Sequence, residues 1–212
     1  IADLPVNVGL SSISVNDDSI GVSRGNNNGV ANPGETTEIN SVLRNYGSSQ
    51  TANSVQAQIN PIDPYITIQT GQANFGDIAS GDSAVSLQPF VVQIATDAPD
   101  NYSARLSMDI NASGGGPWYN ILAVPISAPD LNVTSVAIDN DDNGNHQLDR
   151  GESAQLIISL MNQGSQSFSN SQAILHSSDS LVQITDSLSE YLEIGIDSTI
   201  GNIGNTFSIT VS

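Results

Sequence analysis

The chain predicts an all-β protein of two antiparallel β-sandwiches in tandem, and three observations carry that expectation. Short segments alternate apolar and polar residues with a period of two, as half-buried strands do. Turn clusters such as NYGSSQ, NPIDP and ASGDS separate them at intervals of roughly ten residues, and no helical periodicity persists without a Gly or Pro. The sequence also matches itself at an offset of 117 residues.

The strands follow in order. LSSISVN (10–16), TEINSVLRN (37–45), SVQAQIN (54–60), YITIQT (65–70) and FVVQIAT (90–96) alternate cleanly. NYSARLSMDI (101–110) and WYNILAVPI (118–126) extend the first half to about Ile126. Ahead of them, LPVNV (4–8) echoes the VPI of 124–126, so residues 1–8 are expected to be the end of a preceding repeat or an N-terminal strand. The domains then read 9–126 and 131–212, joined by the short linker SAPD (127–130), which contains Pro129.

The internal match fixes the correspondence between halves. Gly34 and Glu35 meet Gly151 and Glu152, Asn45 and Gly47 meet Asn162 and Gly164, and Asn53 and Ser54 meet Asn170 and Ser171. Apolar positions agree as well: Ile39 with Leu156, Leu43 with Leu160, Phe90 with Phe207, Val92 with Ile209 and Ile94 with Val211. In this register Ser212 falls opposite Ala95, so the second domain is expected to be C-terminally incomplete, without its last two strands. Open strand edges invite pairing with another chain, and a dimer through the second domain is expected.

Charge excludes several functions. Four Lys plus Arg, all of them Arg, stand against 22 Asp plus Glu, a formal net charge of −18. Such a surface repels nucleic acid and anionic membranes and draws divalent cations. The absence of Cys removes disulfides, thiolate metal sites and thiol nucleophiles. No apolar run reaches the ~20 residues of a membrane span, so no membrane insertion is expected.

One loop carries metal chemistry. DDNGNHQLDRGE (141–152) offers a candidate at each ligand position of a twelve-residue calcium loop: Asp141, Asn143, Asn145, Gln147, Asp149 and Glu152. Gln147 would contribute its backbone carbonyl, Leu148 an apolar anchor, and Glu152 the terminal bidentate carboxylate. His146 stands where a Gly is usual, which requires either a rearranged turn or a left-handed His. Asp139 and Asp142 are reserve ligands. Hard oxygen donors favour Ca2+ over zinc or copper.

The first half repeats the pattern more weakly in RGNNNGVANPGE (24–35), with Asn26, Asn28, Val30 through its carbonyl, Asn32 and Glu35. Arg24 occupies the place of the first Asp, so binding is expected to be poor unless Asp17 or Asp18 folds back into the loop.

No catalytic motif is present: there is no nucleophile elbow, no metalloprotease helix, no phosphate loop and no Lys or Cys. His146 and His176, the second in a strand context, read as surface residues. Glu190, Glu193 and Asp197 have the spacing of ordinary strand-and-turn acids rather than a glycosidase pair. Trp118 and Tyr119 read as a strand-start anchor in preference to a sugar platform.

NNNGVANPGE followed by INSVLRNYGSSQTANSVQAQI, and NGNHQLDRGE followed by LIISLMNQGSQSFSNSQAIL, resemble bacterial CARDB/NEW3-type immunoglobulin-like modules. In that family an acidic turn precedes a strand ending in Asn-x-Gly, and a Phe-Gly-Asp-Ile turn follows, here Phe75 to Gly81; YLEIGIDSTIGN in the second half matches it only loosely. The resemblance implies two tandem immunoglobulin-like antiparallel β-sandwiches in a secreted or cell-surface protein. It further implies a non-catalytic spacer or adhesion-type module that works beside neighbouring domains of the same polypeptide and an extracellular protein or glycan. The alternative it leaves open is an accessory domain of a secreted protease or glycosidase, including carbohydrate binding.

Overall fold

A computed structural model describes residues 4–169 and 171–212. Among them there is no helix, and sixteen strands form in chain order: β1 (Val8–Asn16), β2 (Thr36–Asn45), β3 (Ala52–Pro61), β4 (Ile66–Thr70), β5 (Gln72–Ile78), β6 (Ser83–Val85), β7 (Phe90–Ile94), β8 (Tyr102–Ser113), β9 (Gly115–Ile126), β10 (Leu131–Asp139), β11 (Ser153–Asn162), β12 (Ser171–Ile174), β13 (Val182–Asp186), β14 (Leu188–Tyr191), β15 (Thr199–Gly201) and β16 (Phe207–Val211). The chain divides into two compact units, 1–127 and 128–212.

In the first unit one sheet runs β1-β2-β7-β4 with β6 also on β2, and the other runs β5-β3-β8-β9. All pairings are antiparallel. Period-two alternation puts Ala104, Leu106, Met108 and Ile110 of β8 on the inner face, where each is fully buried. They meet Ile39 and Leu43 of β2 and Phe90 and Val92 of β7 in a single core. Trp118 packs against that core, as an anchor does.

The second unit repeats the first sheet strand for strand: β10-β11-β16-β13, with β15 on β11. Even the irregularities recur, since β1 and β10 carry a bulge at Leu10/Ser12 and at Val133/Ser135. β4 and β13 carry theirs at Ile68/Thr70 and Ile184/Asp186. Its second sheet holds only β12 and β14, the counterparts of β3 and β5. Strands equivalent to β8 and β9 do not occur among the described residues. Leu156, Ile158 and Leu160 are therefore half-buried where Ile39, Ser41 and Leu43 are fully buried.

A repeated asparagine ties each unit together. Asn45 Oδ1 accepts from the amides of Asn7 and Gly47 at 3.2 and 3.0 Å, and its Nδ2 donates to the carbonyls of Gln50 and Ile78 at 2.9 and 3.1 Å. Asn162 does the same with Asp130, Gly164, Gln166 and Ile194 at 3.1, 3.0, 2.7 and 3.2 Å. The glycine two residues later is obligatory in both places: a Cβ at Gly47 would lie 2.5 Å from the Pro5 carbonyl, and one at Gly164 2.3 Å from that of Ala128.

This network also resolves the loosely matching turn. The Gly81 amide donates to the Asn45 carbonyl at 2.9 Å, and Asp197 donates to Asn162 at 2.9 Å. Tyr191 thus stands for Phe75 and Ile194 for Ile78, each buried, at an offset of 116 rather than 117. In that shifted register Ser171 is the buried counterpart of Val55, not of Ser54, and Asn170 lies outside the described residues.

Two expected boundaries move. Residues 4–7 belong to the first unit, where the Leu4 and Pro5 carbonyls accept from Ser48 and Gln50, both at 3.0 Å. Residues 1–3 lie outside the described residues. The expected linker is shared out: the Ser127 amide donates to the Ala31 carbonyl at 3.1 Å in the first unit, and Ala128 is buried in the second. His176 lies beyond the end of β12 and is exposed.

Candidate metal centre

The acidic loop of the second unit connects β10 to β11. Asp141 enters it with a side chain only 1% exposed. Its Oδ2 accepts from the backbone amides of Asn145 and His146 at 2.7 and 3.1 Å. Its Oδ1 is buried without a hydrogen-bond partner, and the His146 imidazole lies 3.8 Å away. Burial pushes the Asp141 carboxyl up, but the amides of Asn145 and His146 outweigh it and hold the group below its ordinary 3.8.

The other candidates converge from the far end of the loop. Glu152, 8% exposed, accepts from the Asp149 amide at 2.9 Å through Oε2 and from the Asn143 side-chain amide through Oε1. The same Asn143 amide donates to Asp149 Oδ2 at 3.1 Å, and that of Asn145 reaches the same oxygen at 2.9 Å. The polar hydrogens of two asparagines therefore supply the positive potential between Asp149 and Glu152. Gln147 is held by its amide on Asn145 Oδ1 at 2.7 Å.

His146 adopts the left-handed conformation, φ 57°, where the first unit has Gly29 at φ 76°. Of the two ways a His could fill that position, this is the one realised. Leu148 is not a buried anchor; it is 38% exposed. Asp142 is not directed to the centre, because its Oδ2 accepts from the Ser153 amide at 2.9 Å. Among the described residues no three His, Asp or Glu side chains gather closely enough to cage a metal by themselves. Any cation here relies on a mixed set of carboxylate, amide and carbonyl oxygens, the set calcium accepts.

In the first unit the equivalent of Asp141 is Asp17, not Arg24. Asp17 is 1% exposed and accepts from the amides of Asn28 and Gly29 at 3.0 and 2.8 Å. Those residues are the counterparts of Asn145 and His146. Arg24 turns away, donating to the carbonyls of Gly21 and Ser23. Residues 18–24 are an insertion between the first ligand and the rest, pinned by Asp18, whose Oδ1 accepts from Ser23 Oγ at 2.7 Å. A fixed spacing hid this, although an Asp within two residues of the strand's end in both halves was the available signal.

Glu35 closes this loop by accepting from the amides of Asn26 and Asn32, both at 3.1 Å. Burial and the facing Asp17 charge raise its carboxyl above the ordinary 4.5, against the lowering effect of those amides. Gly25 separates the two carboxylates, where a Cβ would lie 2.7 Å from the Asp17 Cβ. The side-chain amides of Asn26 and Asn28 both donate to Asn32 Oδ1, at 2.9 and 3.0 Å. Asn32 Nδ2 in turn donates to the Ser127 carbonyl at 2.8 Å, and Ala31 bridges Ile126 at the end of β9. Val30 lies between, its amide on Asn28 Oδ1 at 2.8 Å.

No family model and no curated protein matches the chain. Among solved structures, a protein of unknown function from Porphyromonas gingivalis W83 is similar at TM-score 0.29 and 10% identity, with 98% of this chain and 83% of that one covered. The secreted serine protease VesC from Vibrio cholerae is similar at TM-score 0.29 and 16% identity, with 85% of this chain and 43% of that one covered. Likeness at that level carries no argument about function. The fold and the loops define an all-β sandwich protein with two acidic, asparagine-rich turns. Among the described residues no helix is long and apolar enough to cross a membrane.

Proposed function

We propose that this chain is a non-catalytic spacer or adhesion-type interaction module of a secreted or surface protein, and that calcium rigidifies the loop of its second unit. The observation that carries the reading is Asp141 Oδ1, a buried carboxylate oxygen with no hydrogen-bond partner in a loop rich in oxygen donors. A buried carboxylate oxygen left without a donor is costly unless a cation compensates it. Asp141, Asp149 and Glu152 would hold the ion with amide oxygens of Asn143 and Asn145 and the Gln147 carbonyl. Bound calcium supplies positive charge; the chain's own part is to place carboxylates at both ends of one turn. In the first unit the same reading gives a weaker site from Asp17, Asn26, Asn28, the Val30 carbonyl, Asn32 and Glu35.

The test is thermal unfolding after EDTA treatment and after saturation with calcium or magnesium. A calcium-selective rise of several degrees is expected, the scale of ~2.7 kcal/mol at a hundredfold excess over Kd. Asp141→Ala and Glu152→Ala should each abolish it. Identical melts with and without calcium would reject the site.

A further inference from the structure

We propose that Asn143 is a site of self-modification, in which the Gly144 nitrogen displaces the side-chain amide nitrogen and the loop of the second unit gains a further carboxylate with age. Asn-Gly is the dipeptide whose second residue crowds its own nitrogen least. It occurs twice in the chain, at Asn28–Gly29 and Asn143–Gly144, once in each acidic loop. The two sites are closely matched. All four residues are exposed, Gly29 and Gly144 have φ of 76° and 72°, and a Cβ at either glycine would meet nothing within 4 Å. Asn28 Oδ1 accepts from the Val30 amide at 2.8 Å, and Asn143 Oδ1 from the Asn145 amide at 3.0 Å. Each bond closes a ring that contains both the asparagine Cγ and the glycine nitrogen, and its donor polarises the carbonyl that is attacked.

The sites differ in what holds the glycine N–H. Gly29 donates at 2.8 Å to Oδ1 of Asp17, a carboxylate only 1% exposed, whereas Gly144 donates at 3.2 Å to the neutral carbonyl of Asp141. The reaction begins with loss of that proton. A nitrogen held in a charge-assisted bond releases it less readily, because the anion formed would face the carboxylate. Asp17 therefore protects Asn28, and the carbonyl on Gly144 gives Asn143 no such protection.

Water is the only co-reactant. Base removes the Gly144 proton, the nitrogen bonds to Asn143 Cγ, and the Cγ–Nδ2 bond breaks as Nδ2 takes up a proton and leaves as ammonia. Water then adds to one of the two carbonyls of the cyclic imide, and the C–N bond there breaks. Opening at Cγ leaves aspartate at position 143; opening at the backbone carbon leaves isoaspartate. Before the reaction Asn143 Nδ2 donates to Asp149 Oδ2 and Glu152 Oε1. Afterwards a carboxylate stands where those two groups had a donor, so the modified loop depends more strongly on a cation. That consequence, unlike the chemistry, rests on the calcium reading.

The experiment is incubation of the full chain in EDTA at mildly alkaline pH, folded and in urea, followed by peptide mapping by mass spectrometry and enzymatic detection of isoaspartate. In urea the two sites are expected to convert at similar rates. In the folded chain Asn143 is expected to convert at least tenfold faster than Asn28, and Asp17→Asn, checked for folding by Trp118 fluorescence, to speed Asn28. Equal rates in the folded chain, or conversion of Asn143 in urea alone, would overturn the assignment. An unchanged Asn28 rate in folded Asp17→Asn would overturn the protecting role of the carboxylate. Asn143→Asp copies one product, and calcium is expected to raise its melting temperature by more than that of the original chain. An equal or smaller rise would overturn the consequence for the loop. No rise in either protein would reject the calcium reading and that consequence together, while the rates in EDTA still decide the modification.

Discussion

The two asparagine-rich loops begin from the same plan and are closed by different means. In the first unit both oxygens of Asp17 and both of Glu35 are satisfied by backbone amides, and the end of β9 clamps the loop through Ala31 and Asn32. In the second unit a third carboxylate is present, and one oxygen of Asp141 has no hydrogen-bond partner. A turn that is tied down by neighbouring backbone has little for a cation to add, whereas one left with unbalanced charge has much. Two loops with similar ligands therefore differ in what the backbone donors around those ligands leave for a cation to satisfy.

The largest expected effect severs the clamp. Ile126→Ala should destabilise the first unit by about 2–5 kcal/mol, the range for truncating a buried Ile. Leu148→Ala, on the partly exposed counterpart side, should cost under ~1 kcal/mol. Trp118, the single tryptophan, reports on the first unit by fluorescence, and circular dichroism follows the whole chain. Equal losses for both variants would erase the distinction between the loops.

Next in size, Asp17→Ala removes two charge-assisted hydrogen bonds and should cost about 2–3 kcal/mol whether or not calcium is present. Chemical denaturation with and without EDTA checks this; a loss that appears only in calcium would make Asp17 a metal ligand before a structural one. His146→Gly relieves a left-handed non-glycine residue and should raise the stability of the second unit by about 1 kcal/mol or less. A fall on that substitution would mean that the imidazole contact with the Ile138 carbonyl, 3.1 Å away, outweighs the strain.

The smallest effect is in pH. The raised Glu35 carboxyl takes up a proton more readily folded than unfolded, so its contribution to the first unit is full below 4.5 and lost as pH rises through the folded value. Asp141 is lowered, so its contribution is present above 3.8 and lost as pH falls through the folded value. Melts in EDTA should therefore show acidification toward pH 4.5 favouring the first unit, and further acidification weakening the second. Parallel pH profiles for the two units would contradict this.

Much of the fold was legible because period-two alternation and the internal repeat each constrain it. Phe90 against Phe207 and Asn45 against Asn162 placed the strands of the first sheet in both units. What escaped was local slippage. A one-residue deletion before β12 made Ser54 and Ser171 look equivalent, and only the inward direction of Val55 and Ser171 separates them. In the second unit the uninterrupted spacing puts Asp141 and Glu152 at the two ends of one loop, although Leu148 is exposed rather than a buried anchor. In the first, the insertion of residues 18–24 broke the spacing, and Arg24 fell by accident in the first-ligand column. The buried state of Asp141 Oδ1 and the clamp from β9 are tertiary facts that no spacing encodes.

The Asp18–Arg24 insertion also marks where this scaffold has length to spare. Asp17 stands nine positions ahead of Asn26, whereas Asp141 stands two ahead of Asn143. Each doubling of a flexible loop costs only about 0.6 kcal/mol in closure entropy, so the turn survives with its first carboxylate supplied from a distance. An epitope or reporter peptide placed between Ser19 and Ser23 would leave both anchors of the turn in position, making this the point at which the domain can be extended without touching either sheet.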